Sequence, residues 1–171
     1  MSLVIQFGKK TTFRVCLFLS SILLAAFALV PSDAFPEMLA LQVLLQLIFG
    51  PTIPILWSMM ADVADYSEWT TYRRSTGLAF ASIIFGLKLG LGVGAWLNGE
   101  LLERFQYSAT VPISTSFTLA IRLMVSVFPA AVLMIAVGVL LGYRLDDVML
   151  KRIEDELRAR RVESGLAATV V

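Results

Sequence analysis

One lysine occupies a position where a charge is costly. Lys88 lies near the middle of an apolar run, Thr76 to Leu102, about a dozen residues from either end. At about 1.5 Å of rise per helical residue it would be roughly 15 Å or more from water, too far for its ammonium group to reach an interface easily. Insertion scales put such a charge at about 2.5–3.5 kcal/mol, so a cavity or a carboxylate is expected to face it. A fixed intramembrane charge of this kind by default lines a functional pathway. The plainer alternative is a lysine bonded to a backbone carbonyl in a tight bundle. A second group of charges follows the preceding apolar run: Asp62, Asp65 and Glu68 at helical i, i+3 spacing, then Arg73 and Arg74. Residues three apart share a helix face, so the acids form one stripe. The segment is either a hydrated loop whose acids and bases balance or a set of ion pairs holding two helix ends together, which must break when those ends separate.

Little other chemistry is available. The chain has no histidine, and its single cysteine, Cys16, sits inside an apolar run. That excludes disulfide frameworks, Cys/His metal centres, histidine-ligated haem and Ser-His or Cys-His dyads. No catalytic residue, metal site or cofactor is expected, and an enzyme is not. The net charge of +1 gives no reason to expect a nucleic-acid partner.

The elements that position these residues follow from composition. Of 171 residues, 58% are hydrophobic and 16% charged, and the mean hydropathy is +0.81; soluble domains sit near 45–50% apolar and about 25% charged. Four apolar runs approach the roughly 20 residues needed to cross a bilayer, at about 13–30, 38–61, 76–102 and 119–143. The alternating pattern of barrel strands is absent. The expected fold is all-α, a polytopic membrane protein of four transmembrane helices over residues 1–145, followed by a tail over 146–171. The first run, with Lys9 and Lys10 before it and Ser32-Asp33-Ala34 after it, also has the outline of a signal peptide. It exceeds the usual h-region of about 7–15 residues, and three more spans follow, which favours a spanning helix. Gly50, Pro51 and Pro54 interrupt the second span, and broken helices often line cavities in transporters. Pro129 in the last span is read as an ordinary membrane-helix proline.

Basic residues set the orientation. Lys9, Lys10, Arg14, Arg73, Arg74, Arg144, Lys151, Arg152, Arg158, Arg160 and Arg161 all fall on one side of a four-span chain, which by the positive-inside rule puts both termini in the cytoplasm. In the tail, Val148, Met149, Ile153 and Leu157 recur at helical spacing. Asp147/Lys151, Glu154/Arg158 and Glu156/Arg160 are i, i+4 pairs in the favourable order. An amphipathic helix docked under the bundle is expected.

The third run has two unlike faces. Gly86, Gly90 and Gly94 form a G-x-x-x-G-x-x-x-G ridge, the pattern that lets another helix approach closely. Lys88 points away from that ridge, on a face with Ala81, Gly92, Ala95 and Gly99. One face suits packing and the other leaves room around a charge.

Together these residues resemble the C-terminal end of the glycoside–pentoside–hexuronide:cation symporter family of the major facilitator superfamily. Pro54, Trp57, Asp62, Asp65, Tyr66, Glu68, Arg73 and Gly77 match its signature between the tenth and eleventh helices, and Lys88 matches its mid-helix lysine. The chain departs from the pattern at Tyr72, where the family often has glycine, and at Gln106-Tyr107, where it often has Gly-Tyr. The resemblance implies helices nine to twelve of a partial major facilitator fold in the inner membrane, from a transporter that carries sugars or related solutes with Na⁺ or H⁺. It implies that Lys88 and Trp57 line the substrate cavity and that Asp62, Asp65, Tyr66, Glu68, Arg73 and Arg74 form a cytoplasmic gate. Four helices cannot supply both halves of such a carrier. The partners expected are therefore the lipid bilayer, the N-terminal transporter helices or another copy of the chain, and a small-molecule solute, a sugar by resemblance. The rival reading is a small four-helix membrane assembly protein whose glycine ridge packs a partner.

Overall fold

The computed structural model describes residues 8–31, 33–73, 75–104, 115–143, 145–163 and 165. It is all-helical among these residues. Helix α1 spans Lys9–Phe27, α2 Phe35–Phe49, α3 Thr52–Thr71, α4 Thr76–Arg104 and α5 Thr115–Arg122. The π-helical turn Leu123–Val127 joins α5 to α6, Phe128–Leu141, and α7 covers Asp147–Glu163. Among the described residues four helices are long and apolar enough to cross a membrane: α1, α2 continued by α3 (Phe35–Thr71), α4, and the π turn continued by α6 (Leu123–Leu141).

Proline chemistry explains both irregularities. Pro51 and Pro54 cannot donate to the carbonyls one turn back, which breaks the ladder between α2 and α3. The backbone stays helical through the break, with Gly50 and Pro51 both in the right-handed region, and the Thr52 hydroxyl donates to the Phe49 carbonyl at 2.6 Å. The interruption expected from sequence is therefore a repaired kink. In the last span, Pro129 follows the π turn directly, and the Phe128 N–H reaches back to the Leu123 carbonyl, one residue further than in an α-helix. The ring of a proline clashes with the carbonyl four residues earlier, and a wider turn relieves this. The Ser126 hydroxyl donates to the Arg122 carbonyl across the same turn, and Ser21 of α1 donates to the Ala130 carbonyl just beyond it at 3.0 Å. The plain reading of Pro129 omitted this local distortion.

The core lies where α1, α3 and α6 meet. Phe13, Leu17, Ile55 and Met59 are buried there, with Phe49, Leu133, Ala136, Val137, Leu140 and Tyr143 packed around them. Helices α1 and α6 form the most extensive pair. Helix α4 is different: none of its residues is buried, and its one extensive neighbour among the described residues is α3.

The charged stretch after the second span is helix, not connection. Helix α3 carries on through Asp62, Asp65 and Glu68 to Thr71, so α2 and α3 together run for 37 residues, about 55 Å at helical rise. That is longer than the roughly 30 Å hydrocarbon core needs, and the acids lie in its last turns. Helix α7 docks on these turns. Leu145, Ile153 and Leu157 are buried against Val63, Tyr66, Trp69 and Tyr143. Val148, expected on the docking face, is 79% exposed; Leu145 and Leu150 take part instead. The Asp146 carboxylate caps α7 by accepting the Met149 N–H at 2.8 Å. Among the described residues, the i, i+4 ion pair on α7 is Arg152–Glu156 at 2.9 Å.

Candidate functional site

The stripe of acids on α3 gathers residues from both ends of the chain. The Lys9 ammonium donates to both Asp62 oxygens at 2.9 Å. Its neighbour Lys10 donates to the Tyr143 carbonyl and lies 5.9 Å from the centre of the Tyr143 ring. This juncture requires Gly8, whose φ of +78° suits glycine and where a Cβ would sit 1.8 Å from an Asp147 carboxylate oxygen. A turn further along α3, Glu68 accepts a hydrogen bond from Arg161 of α7 at 2.8 Å, and Asp65 lies 4.0 Å from the same guanidinium. A charged recess of about 430 Å³ opens between these elements, lined by Lys9, Asp62, Asp65, Asp147, Lys151 and Glu154.

Among the described residues the acids of α3 pair with Lys9 and Arg161. Arg73 is exposed and forms no ion pair there, and Arg74 lies outside the described residues. Lysine and arginine are promiscuous partners for a carboxylate. Spacing along the chain finds the neighbours in sequence but not those that the fold brings from 53 or 93 residues away.

Aromatic groups complete the end of the bundle. Tyr66 tilts against Trp69 at 6.1 Å, and the Trp69 indole N–H donates to Glu156 of α7 at 2.7 Å. That hydrogen bond, followed by one from Arg152, holds the Glu156 carboxyl below its ordinary range. Tyr72 closes α3 in the left-handed region, φ 58°, ψ 15°, its N–H donating to the Glu68 carbonyl. This is the position where the resembling family often has glycine, and the geometry gives the reason: a left-handed helix cap suits a residue without Cβ. Here the tyrosine is covered by Arg160, whose guanidinium lies 4.7 Å over its ring. Lys9, Trp69, Tyr72, Arg160 and Arg161 were not singled out as site residues from sequence. Trp69 was accessible to such reading, since it lies four and seven residues beyond Asp65 and Asp62 on the same face. The arginines lay in a charge run that gave no sign of which member would turn inward.

Lys88 stands apart from this network. It is exposed near the middle of α4, about 18 Å from the helix start, and meets no carboxylate among the described residues. The Gly86–Gly90–Gly94 ridge is equally open, with no atom within 4 Å of where a Cβ would be. Trp57 on α3 stacks on Phe80 of α4, ring centres 5.8 Å apart and planes 15° apart, and remains 38% exposed. The structure places Trp57 near the start of α4 and the acids at the far end of α3, with Lys88 joined to neither. No group of three or more Cys, Asp or Glu able to hold a metal ion occurs among the described residues.

Comparison with known proteins fits this arrangement. Residues 2–147 match the family described as MFS/sugar transport protein. The putative glycoside/cation symporter YagG of Escherichia coli K12 is 30% identical over 164 residues, 95% of this chain and 35% of that protein. The inner membrane symporter YicJ of the same strain is 34% identical over 113 residues, 66% of the chain and 25% of that protein. The E. coli glucuronide carrier protein homolog is 25% identical over 93% of the chain and 35% of its own length. This chain thus spans between a quarter and about a third of the length of these three relatives. No solved structure matches. Four apolar helices, the acidic stripe ahead of a mid-span lysine, and a family match over most of the sequence lead to one conclusion: the chain belongs to the MFS/sugar transport protein family and is a membrane protein with a partial major facilitator fold.

Proposed function

We propose that the chain forms helices nine to twelve of a cation-coupled solute symporter that works by alternating access, with the charged end of the bundle and both termini in the cytoplasm. The observation that carries this reading is Lys88: a charge at mid-membrane depth, on an unburied helix, in a chain that belongs to a family of sugar transporters. Such a charge is stable where water or an opposing group meets it, and major facilitator carriers place that environment between two six-helix halves. Lys88 and Trp57 then line the cavity from this half. The solute is a sugar or glycoside, after the relatives' names, coupled to Na⁺ or H⁺. Asp62, Asp65, Tyr66 and Glu68 act at the cytoplasmic gate, with Lys9 and Arg161 as partners inside this half and Arg73 and Arg74 at the turn that leads to α4.

The 171-residue chain alone moves no solute, because one third of a carrier encloses no alternating cavity. The test is counterflow of labelled sugar in vesicles holding a complete carrier that contains this sequence, compared with its Lys88→Ala variant. Loss of exchange is expected; unchanged kinetics would remove Lys88 from the cavity. For the gate, exchanging Asp65 with Arg73 should recover part of what each single substitution loses, and no recovery would argue against their meeting in any state.

A further inference from the structure

We propose that α7 is a strap that sets the hinge between α3 and α4, with Arg160 as its positioning residue; that the hinge matters to transport rests on the reading above. A helix end leaves its last carbonyls without intrahelical partners and carries partial negative charge. At the end of α3, one side chain from a distant helix answers both needs. Arg160 donates to the Trp69 carbonyl at 3.3 Å and covers the ring of Tyr72, the only non-glycine residue at positive φ among those described. An L-residue there is strained, and elsewhere glycine relieves the strain. Here the relief comes from outside the turn.

The strap is fastened chiefly to α3, with Asp147 at its start lying against Gly8. Trp69–Glu156, Glu68–Arg161 and the buried Ile153 and Leu157 fasten α7 to α3, whereas α4 has no extensive contact with α7. Helix α4 packs on α3, with Phe80 stacked on Trp57, and starts four residues after the left-handed Tyr72. Holding Tyr72 in that conformation fixes the direction in which the chain leaves α3 toward the Lys88 helix. Lifting α7 removes Arg160 from both contacts and frees the turn.

The experiment uses the 171-residue chain in lipid nanodiscs, with Cys16→Ser and spin labels introduced by Leu47→Cys and Leu91→Cys on the exposed faces of α2 and α4. It reads amide hydrogen exchange over residues 69–76 and the distance distribution between the labels. Arg160→Ala is expected to speed exchange in the turn by about two- to fivefold, the factor a cation–π contact of this exposure represents, and to broaden the distribution. Arg160→Lys, which keeps the charge but loses the flat guanidinium, should recover part of the protection. Tyr72→Gly added to Arg160→Ala should restore a single narrow distribution, because glycine holds the turn unaided. Arg158→Ala, on the exposed face of α7, should change neither reading. Unaltered exchange and distances in Arg160→Ala overturn the strap, as does a Tyr72→Gly/Arg160→Ala chain no narrower than Arg160→Ala alone. Neither reading involves solute, so failure of the counterflow test leaves this result standing, and the reverse holds.

Discussion

The two ends of the α3–α4 pair obey opposite rules. At the charged end, the acidic stripe of α3 finds partners within the chain, Asp62 with Lys9 and both Asp65 and Glu68 with Arg161, and Glu156 of α7 meets Trp69 and Arg152. Along α4, Lys88 is exposed and meets no carboxylate, and the glycine ridge meets no other helix, among the described residues. The first region spends its polar groups on holding this unit together. The second contributes little to it, and under the proposed function its surfaces answer to the other helices of the carrier and to the solute. Stability and function should therefore separate by region.

The sharpest way to break this comparison is Lys88→Leu. In the complete carrier we expect counterflow to fall about 100-fold, the factor equivalent to the roughly 3 kcal/mol that a mid-membrane charge represents, while thermal unfolding of the 171-residue chain stays unchanged or improves. A destabilised chain would show that Lys88 serves this unit after all. At the charged end, Gly8→Ala should cost about 1–3 kcal/mol of stability in a detergent melt, because alanine is strained at a φ of +78°, while the exposed Asp147 carboxylate can swing aside. Ile153→Ala, which empties a site 1% exposed, should cost about 2 kcal/mol and release α7, read as faster hydrogen exchange across residues 147–163. Asp62→Ala strands the half-buried Lys9 and should cost about 1 kcal/mol, lessened by the remaining water around the pair. Lys9→Ala together with Asp62→Ala should cost less than the two losses added.

The smallest effect is set by pH. The folded Glu156 carboxyl titrates below its unfolded value of about 4.3. Its contribution to docking is therefore fully present above that value and is lost as pH falls through the depressed folded pKa. Trp69 fluorescence should report weakening of the α7 contact only on acidification below about pH 4.3, and Glu156→Gln should flatten that response. A Trp69 signal that changes first between neutral pH and pH 5 would assign the docking to other groups.

Sequence alone determined the gross architecture, because its cause is local. A bilayer demands about 20 apolar residues per helical crossing, and the four runs announce themselves without reference to one another. The family signature, the glycine ridge and the depth of Lys88 are likewise properties of spacing along one helix. What only the tertiary structure decided are the partners. Asp62 turned to Lys9 and Glu68 to Arg161, across 53 and 93 residues, because a carboxylate accepts any nearby cation and only packing determines which one is near. The acids after residue 61 have helical spacing that a hydrated loop could equally carry; that they stay in helix through Thr71, with Val63, Tyr66 and Trp69 packed against α7, is decided by the fold. Tyr72 shows the division most clearly. Its departure from glycine is visible in the sequence, but the left-handed turn that explains the glycine, and the arginine from α7 that lets a tyrosine stand there, exist only once the chain has folded.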